Sequence, residues 1–273
     1  MSQSLNIGAL LPKLKSMITL IGIGHVFSIK EAVKYLVFKS DPDAVCLELD
    51  RLRFDALESG MRGQEDAPFL FRRLQKIYDR AAETQGAQVG EEMLGAAEAA
   101  EELDVPHYFI DIEASPMVMN IFQKLSVTEK LKLFGSVIGA SFLPKRTIEE
   151  GIKQIGENPE EYMDQFEKYF PSLKRDIVDY RDRYMAKRLI DISNDHEHVL
   201  AVVGQGHIKG MSAYLEHRGL RIIPLKEVQE IAKDLSDGTL KMPVMVKRAE
   251  TEVTNSEVQF SFSIEVRDQE EQG

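Results

Sequence analysis

The sequence predicts an α/β protein: a central, mostly parallel sheet flanked by helices, with a large helical insertion and a C-terminal β-hairpin extension. Three observations carry that reading. Apolar, β-branched runs at Met17–Gly22, Ala44–Leu49 and Val199–Val203 have the continuous character of strands buried on both faces. Helical patterns separate them, as parallel pairing with crossover helices requires. Two of the runs end in the same short glycine-containing sequence.

Along the chain, Met17-Ile-Thr-Leu-Ile-Gly22 is a first strand ending in Gly22-Ile-Gly-His25. Ser28 is placed as the cap of a helix reaching about Phe38, with Asp41-Pro42-Asp43 as the turn into a second strand over Ala44–Leu49. Helical composition follows over Pro68–Glu83 and Gly90–Leu103, then a third strand over His107–Asp111. A helical insertion occupies about 115–192, punctuated by Pro144, Pro159 and Pro171. A fourth strand, Val199–Val203, ends in Gly204-Gln-Gly-His207; a helix over Ile208–His217, a stop at Gly219 and a fifth strand over Arg221–Leu225 come next. Met242–Arg248 and Glu257–Val266 read as an antiparallel hairpin around Thr254-Asn255-Ser256. The expected division is an α/β domain over residues 1–235 and a hairpin with an acidic tail over 236–273. The free edge of that hairpin suggests a homodimer.

Composition narrows the function classes. A net charge of −11 disfavours nucleic acid as a partner, since phosphate recognition needs a basic face. The single cysteine, Cys46, sits in an apolar run, where it packs as a small hydrophobe and fits a reducing cytoplasm. No apolar window is long enough for a transmembrane segment. Membrane association through a partner or a removed segment stays open.

The candidate site comes from the internal echo. Ile18-Thr-Leu-Ile-Gly-Ile-Gly-His-Val and Leu200-Ala-Val-Val-Gly-Gln-Gly-His-Ile share one form: buried strand, Gly-x-Gly-His, then helix. Ligands of open α/β sheets sit at the carboxyl ends of the strands, and both histidines are expected there. Glu48 and Asp111 end the second and third strands at the same rim. A dinucleotide site competes for Gly22-x-Gly24, with Glu48 as its ribose acid, but Phe27 and Lys209 stand where the third glycine would be. Asp50, Arg51 and Arg53 are rim residues or helix N-terminal charges. His196, His198 and His107 fall at strand amino ends, on the opposite rim. The runs Glu91-Glu92 and Glu101-Glu102 read as solvated helix faces, and Met117, Met119 and the helix near Phe134 as core in preference to a cleft lining.

With these residues in place, the chain resembles the TraB/PrgY family and its TIKI relatives. Gly22-Ile-Gly-His25, Val45-Cys-Leu-Glu48-Leu-Asp50-Arg51-Leu-Arg53, Glu92-Met93, Asp111, Ser126-x-x-Glu129-Lys130-Leu, Arg181-Asp182-Arg-Tyr184-Met185-Ala186 and Gly204-Gln-Gly-His207 occur in the family's order. It departs at Asp111-Ile112-Glu113, at Asn120 and at Tyr180, losing basic or acidic side chains. The resemblance implies an erythromycin-esterase/ChaN-like fold, a link to metal-dependent proteolysis in the TIKI branch and to peptide-pheromone inhibition in the PrgY branch. Its positions are His25, Glu48, Arg181 and His207, with Asp111 beside them.

Two imidazoles and a carboxylate suit Zn²⁺, Mn²⁺ or Co²⁺. The expected roles are His25, His207 and Glu48 as metal ligands, Glu48 alternatively as general base, and Arg181 as the oxyanion or substrate-carboxylate partner. Asp111 is expected to orient a histidine. Asp50 and Arg51 are expected to assist from the rim or meet a peptide or small-molecule substrate. A metal-free variant with His25 as general base, and a non-catalytic peptide binder, remain the alternatives.

Overall fold

The computed structural model describes residues 16–24, 27–60, 90–113, 125–141, 146–147, 150, 154, 159–254 and 257–267. Strands β1 (Met17–Ile23), β2 (Ala44–Leu47), β3 (His107–Phe109), β4 (His198–Gly204) and β5 (Gly219–Ile223) form one sheet in the order β3-β2-β4-β1-β5. Every pairing is parallel. The sheet is apolar on both faces, which explains the unbroken apolar runs. Ile21, Ile23, Val45, Leu47, Leu200 and Val202 point to one core, and Ile18, Leu20, Ala44, Cys46, Ala201 and Val203 to the other.

Helices α1 (Lys30–Ser40) and α3 (Glu91–Glu102) cover the first face, together with α8 (Leu225–Ser236). Helices α6 (Tyr180–Ile192) and α7 (Gln205–Leu215) cover the second. Between them in sequence lie α2 (Arg51–Glu58), α4 (Val127–Ser141) and α5 (Pro159–Tyr169). α1 and α7 leave the adjacent strands β1 and β4 toward opposite faces, so the chain divides at the carboxyl ends of those two strands. Such a switch point is where open α/β sheets place their ligands.

Several boundaries differ from the sequence expectation. The N-cap of α1 is Ile29, without a side-chain hydrogen bond, and not Ser28. β3 stops at Phe109: β2 has already closed on itself, Leu49 N–H donating to Leu47 O at 2.7 Å, so Ile110 and Asp111 follow its bend rather than a straight ladder. Helix α7 starts at Gln205 and includes His207 in its first turn. Pro224 ends β5, and α8 begins immediately after it, burying Leu225 and Val228. Glu92 is not solvated but buried in the first turn of α3. Lys30–Glu98 and Lys34–Glu102 ion pairs run α3 parallel to α1, so its N-terminus faces the carboxyl rim, where a helix end favours an acid.

In the insertion, Ser126 and Glu129 form a capping box at the start of α4: Glu129 N–H donates to Ser126 Oγ at 3.2 Å, and Ser126 N–H to Glu129 Oε2 at 3.1 Å. Glu129 also accepts from Ser172 N–H, tying α4 to the turn Pro171–Leu173. Phe134 is not core; it is exposed with Val127 and Leu131. A π-helical stretch, Lys174–Asp179, leads into α6. The hairpin strands β6 (Val244–Thr254) and β7 (Glu257–Arg267) pair antiparallel, the first running further than Arg248, and Ile264 and Val266 pack against the first core. His25, Pro68–Glu83, Met117, Met119 and Asn120 lie outside the described residues. No helix among the described residues is long and apolar enough to cross a membrane.

Leu200, fully buried in the central strand, anchors the first core. Leu200→Ala is expected to cost about 3 kcal/mol from lost transfer energy and a residual cavity. Urea unfolding checks it: the midpoint should fall with the m value unchanged.

Candidate functional site

Strand ends deliver the acids. Glu48 follows β2, and its backbone N–H still donates to Val202 O of β4 at 3.1 Å, so its side chain turns over the central strand. Glu48 Oε2 there accepts Gly204 N–H at 2.5 Å, at the N-terminus of α7, where unpaired amides and the helix dipole favour a carboxylate. Asp111 follows β3, beside β2. Both acids are buried.

Arg181 joins them. Its Nε donates to Asp111 Oδ1 at 2.9 Å and its Nη2 to Asp111 Oδ2 at 2.7 Å, a bidentate grip, while Nη2 also meets Glu48 Oε1. Burial opposes the guanidinium charge, but Glu48 and Asp111 outweigh it and raise its pKa, so Arg181 is a permanent cation. Arg53 Nη2 also donates to Asp111 Oδ2, the oxygen it shares with Arg181 Nη2, and its Nε donates to Asp50 Oδ2 at 2.7 Å. Asp50 in turn caps α2, accepting Arg53 N–H at 2.9 Å.

His207 completes the line. Its Nε2 lies 3.1 Å from Glu48 Oε1, and its Nδ1 donates to Asp182 Oδ1 at 2.5 Å. Burial disfavours the charged ring, but the Glu48 and Asp182 carboxylates prevail and raise its pKa to about 9. Burial pushes the Asp182 carboxyl up, with the His207 ring pulling the other way. Asp50, Arg53, Asp111, Arg181, Glu48, His207 and Asp182 thus alternate in sign in one connected row.

Of the expected site residues, Glu48, Arg181, His207, Asp111 and Asp50 come together at this rim. Arg51 turns away: it pairs with Asp55 at 2.8 Å on the exposed side of α2 and lies over the Phe109 ring. Asp111 holds arginines, not a histidine; Asp182 is the acid on His207, and sequence reasoning assigned it no role. Arg53, by sequence one rim charge among others, is the link between Asp50 and Asp111. His25 lies outside the described residues, and among the described residues no group of three His, Cys, Asp or Glu side chains is disposed to hold a metal. At the opposite rim, His198 Nε2 pairs with Thr19 Oγ1 and His196 Nε2 with the Tyr108 hydroxyl, both at 3.0 Å.

A model of the TraB/PrgY/gumN family matches residues 14–224. That span holds all five strands of the parallel sheet and ends before α8 and the hairpin. An uncharacterized protein of Methanocaldococcus jannaschii is 28% identical over 212 residues, covering 73% of this chain and 53% of that relative. The chain therefore spans about half the length of the curated relative it matches.

Because the His207 pKa is raised on folding, the cluster's stabilisation in chelator-treated protein is complete below its unfolded value near 6.5 and is lost as pH rises toward 9. Urea midpoints of wild type and His207→Gln, compared at pH 6.5 and 9.5, should differ most at the lower pH. A gap that stays constant would contradict the charged pairing.

Proposed function

Because the chain belongs to the TraB/PrgY/gumN family, we propose that this rim is the active site of a divalent-metal-dependent hydrolase acting on peptides. The observation that carries the reading is the meeting of an imidazole and a carboxylate from distant parts of the chain. His207 Nε2 and Glu48 Oε1 face each other at 3.1 Å, about the span between neighbouring donors on an ion that binds each at roughly 2.0–2.2 Å. That donor pair fits Zn²⁺, Mn²⁺ or Co²⁺. Residue His25, next in the chain after Gly24 at the end of β1, is the third ligand in this reading. Peptide as the substrate class rests on the family resemblance.

A bound ion would supply Lewis-acid polarisation of a carbonyl and acidification of a water. The chain's own residues supply the rest. Glu48 has Oε2 anchored on Gly204 N–H, and Oε1, shared between Arg181 Nη2 and His207 Nε2, is the oxygen that would bind the ion or take a proton from the attacking water. Arg181, held by Asp111 and permanently charged, stands where it can balance negative charge developing on a substrate oxygen. Arg53, itself held by Asp50, braces Asp111 at Oδ2 and so helps set the position of Arg181. Arg51, turned outward, is left with a surface role. We extend the reading to a cytoplasmic homodimer paired through an edge of the β6–β7 hairpin, which has no further strand among the described residues.

Hydrolysis of a fluorogenic peptide library tests this proposal. Activity should vanish in EDTA and return with Mn²⁺ or Co²⁺. His207→Ala should abolish it, and Glu48→Gln should lower it by about 10²–10⁴ if Glu48 is the base. Full activity after exhaustive chelation would exclude the metal. Peptide binding without cleavage in wild type and variants alike would assign the rim to a non-catalytic binder.

A further inference from the structure

The acid on His207 reaches it through a gap in α7. Gly210 sits in the interior of that helix, one turn beyond His207, where glycine is a poor helix former. Its backbone does not call for glycine, since the described glycines with positive φ are Gly60, Gly90 and Gly238. Space does: a Cβ on residue 210 would lie 1.8 Å from Asp182 Oδ2 and 2.7 Å from its Cγ. Asp182 is 2% exposed, so it has no room to retreat into solvent.

The approach is also set from the other helix. Arg181 and Asp182 are consecutive on α6, so their side chains diverge by about 100° around its axis. One turns to the strand ends and the other to α7. Asp111, the remaining acid that could orient a histidine, is occupied by Arg53 and Arg181. Asp182 is therefore the carboxylate on Nδ1, and Nε2 is left facing Glu48.

We propose that Asp182 is the positioning residue for His207 and that Gly210 is the notch that admits it, the two together presenting Nε2 to the reacting rim. The consequence for metal binding rests on the hydrolase reading above; the holding of the ring does not. A carboxylate on the far nitrogen of a ligating histidine fixes its orientation and strengthens it as a donor.

The test uses the full chain with ¹⁵N-labelled histidine, in Asp182→Ala, Asp182→Asn, Gly210→Ala and the double variant Asp182→Ala/Gly210→Ala. Wild type should show a far-downfield, slowly exchanging Nδ1 proton. Asp182→Ala and Gly210→Ala should abolish it, and Asp182→Asn should move it upfield. Calorimetry with Zn²⁺ alone should show affinity reduced by about 10–100-fold in both single alanine variants. The double variant should be no weaker than Asp182→Ala, because the new methyl then has no carboxylate to strike. If Gly210→Ala fails to fold, the double variant should fold and carries the comparison. A downfield Nδ1 proton that survives Asp182→Ala, or a double variant that loses the sum of both single effects, would overturn the proposal. Wild type that takes up no Zn²⁺ while the proton signal behaves as stated would sink the metal reading and leave the positioning role standing.

Discussion

The arrangement at the rim depends on one buried cation between two buried acids. Parallel pairing puts β2 and β3 side by side, and a buried carboxylate follows each, Glu48 and Asp111. Like charges that close, away from water, raise one another's energy unless a cation separates them. Arg181 does so from a helix that follows a long excursion of the chain, so the docking of α6 and the ionisation of the strand-end acids are one problem with one solution. Removing the guanidinium would leave Asp111 to Arg53 and Glu48 to His207 with no cation between the two acids, which is the costly way to break a buried pair.

From that joint the rest of the site extends in both directions. Arg53 and Asp50 carry the alternation outward to the start of α2, where Asp50 also closes the helix end. Glu48 carries it inward to His207 and the N-terminus of α7. The π-helical stretch before α6 belongs to the same picture, because such irregular turns often mark functional positions. Here it ends two residues before Arg181. Opposite rims of one sheet are thereby treated differently: the amino ends hold histidines hydrogen-bonded to the Thr19 and Tyr108 hydroxyls, and the carboxyl ends hold a row of ion pairs.

Much of this was legible in the residues. Doubly buried parallel strands leave unbroken apolar runs, so β1, β2 and β4 stood out, and a polar residue ending such a run must lie at the rim; Glu48 and Asp111 follow from that alone. Partner choice was not legible. Whether Asp111 or Asp182 holds the imidazole depends on how α6 crosses the strand ends, which no local pattern encodes. The one available signal was steric: a glycine in mid-helix at position 210, without a turn to justify it, marks a close approach. Local capping also misled. Gly-Gln-Gly-His reads as a loop, yet Gly204 caps and Gln205 begins the helix, its Oε1 accepting Leu225 N–H at 2.8 Å. Helix α8 is obscured in the sequence although Leu225, Val228, Ile231 and Leu235 repeat at helical spacing, because the apolar run of β5 continues through Pro224 into Leu225.

The most direct measurement of the central claim is anomalous scattering at the manganese edge from crystals of the full chain grown without chelator and soaked in Mn²⁺. A peak is expected within bonding distance of both His207 Nε2 and the Glu48 carboxylate, with His25 as a further ligand. A peak bound elsewhere, or none while Nε2 stays paired to Glu48, would contradict it.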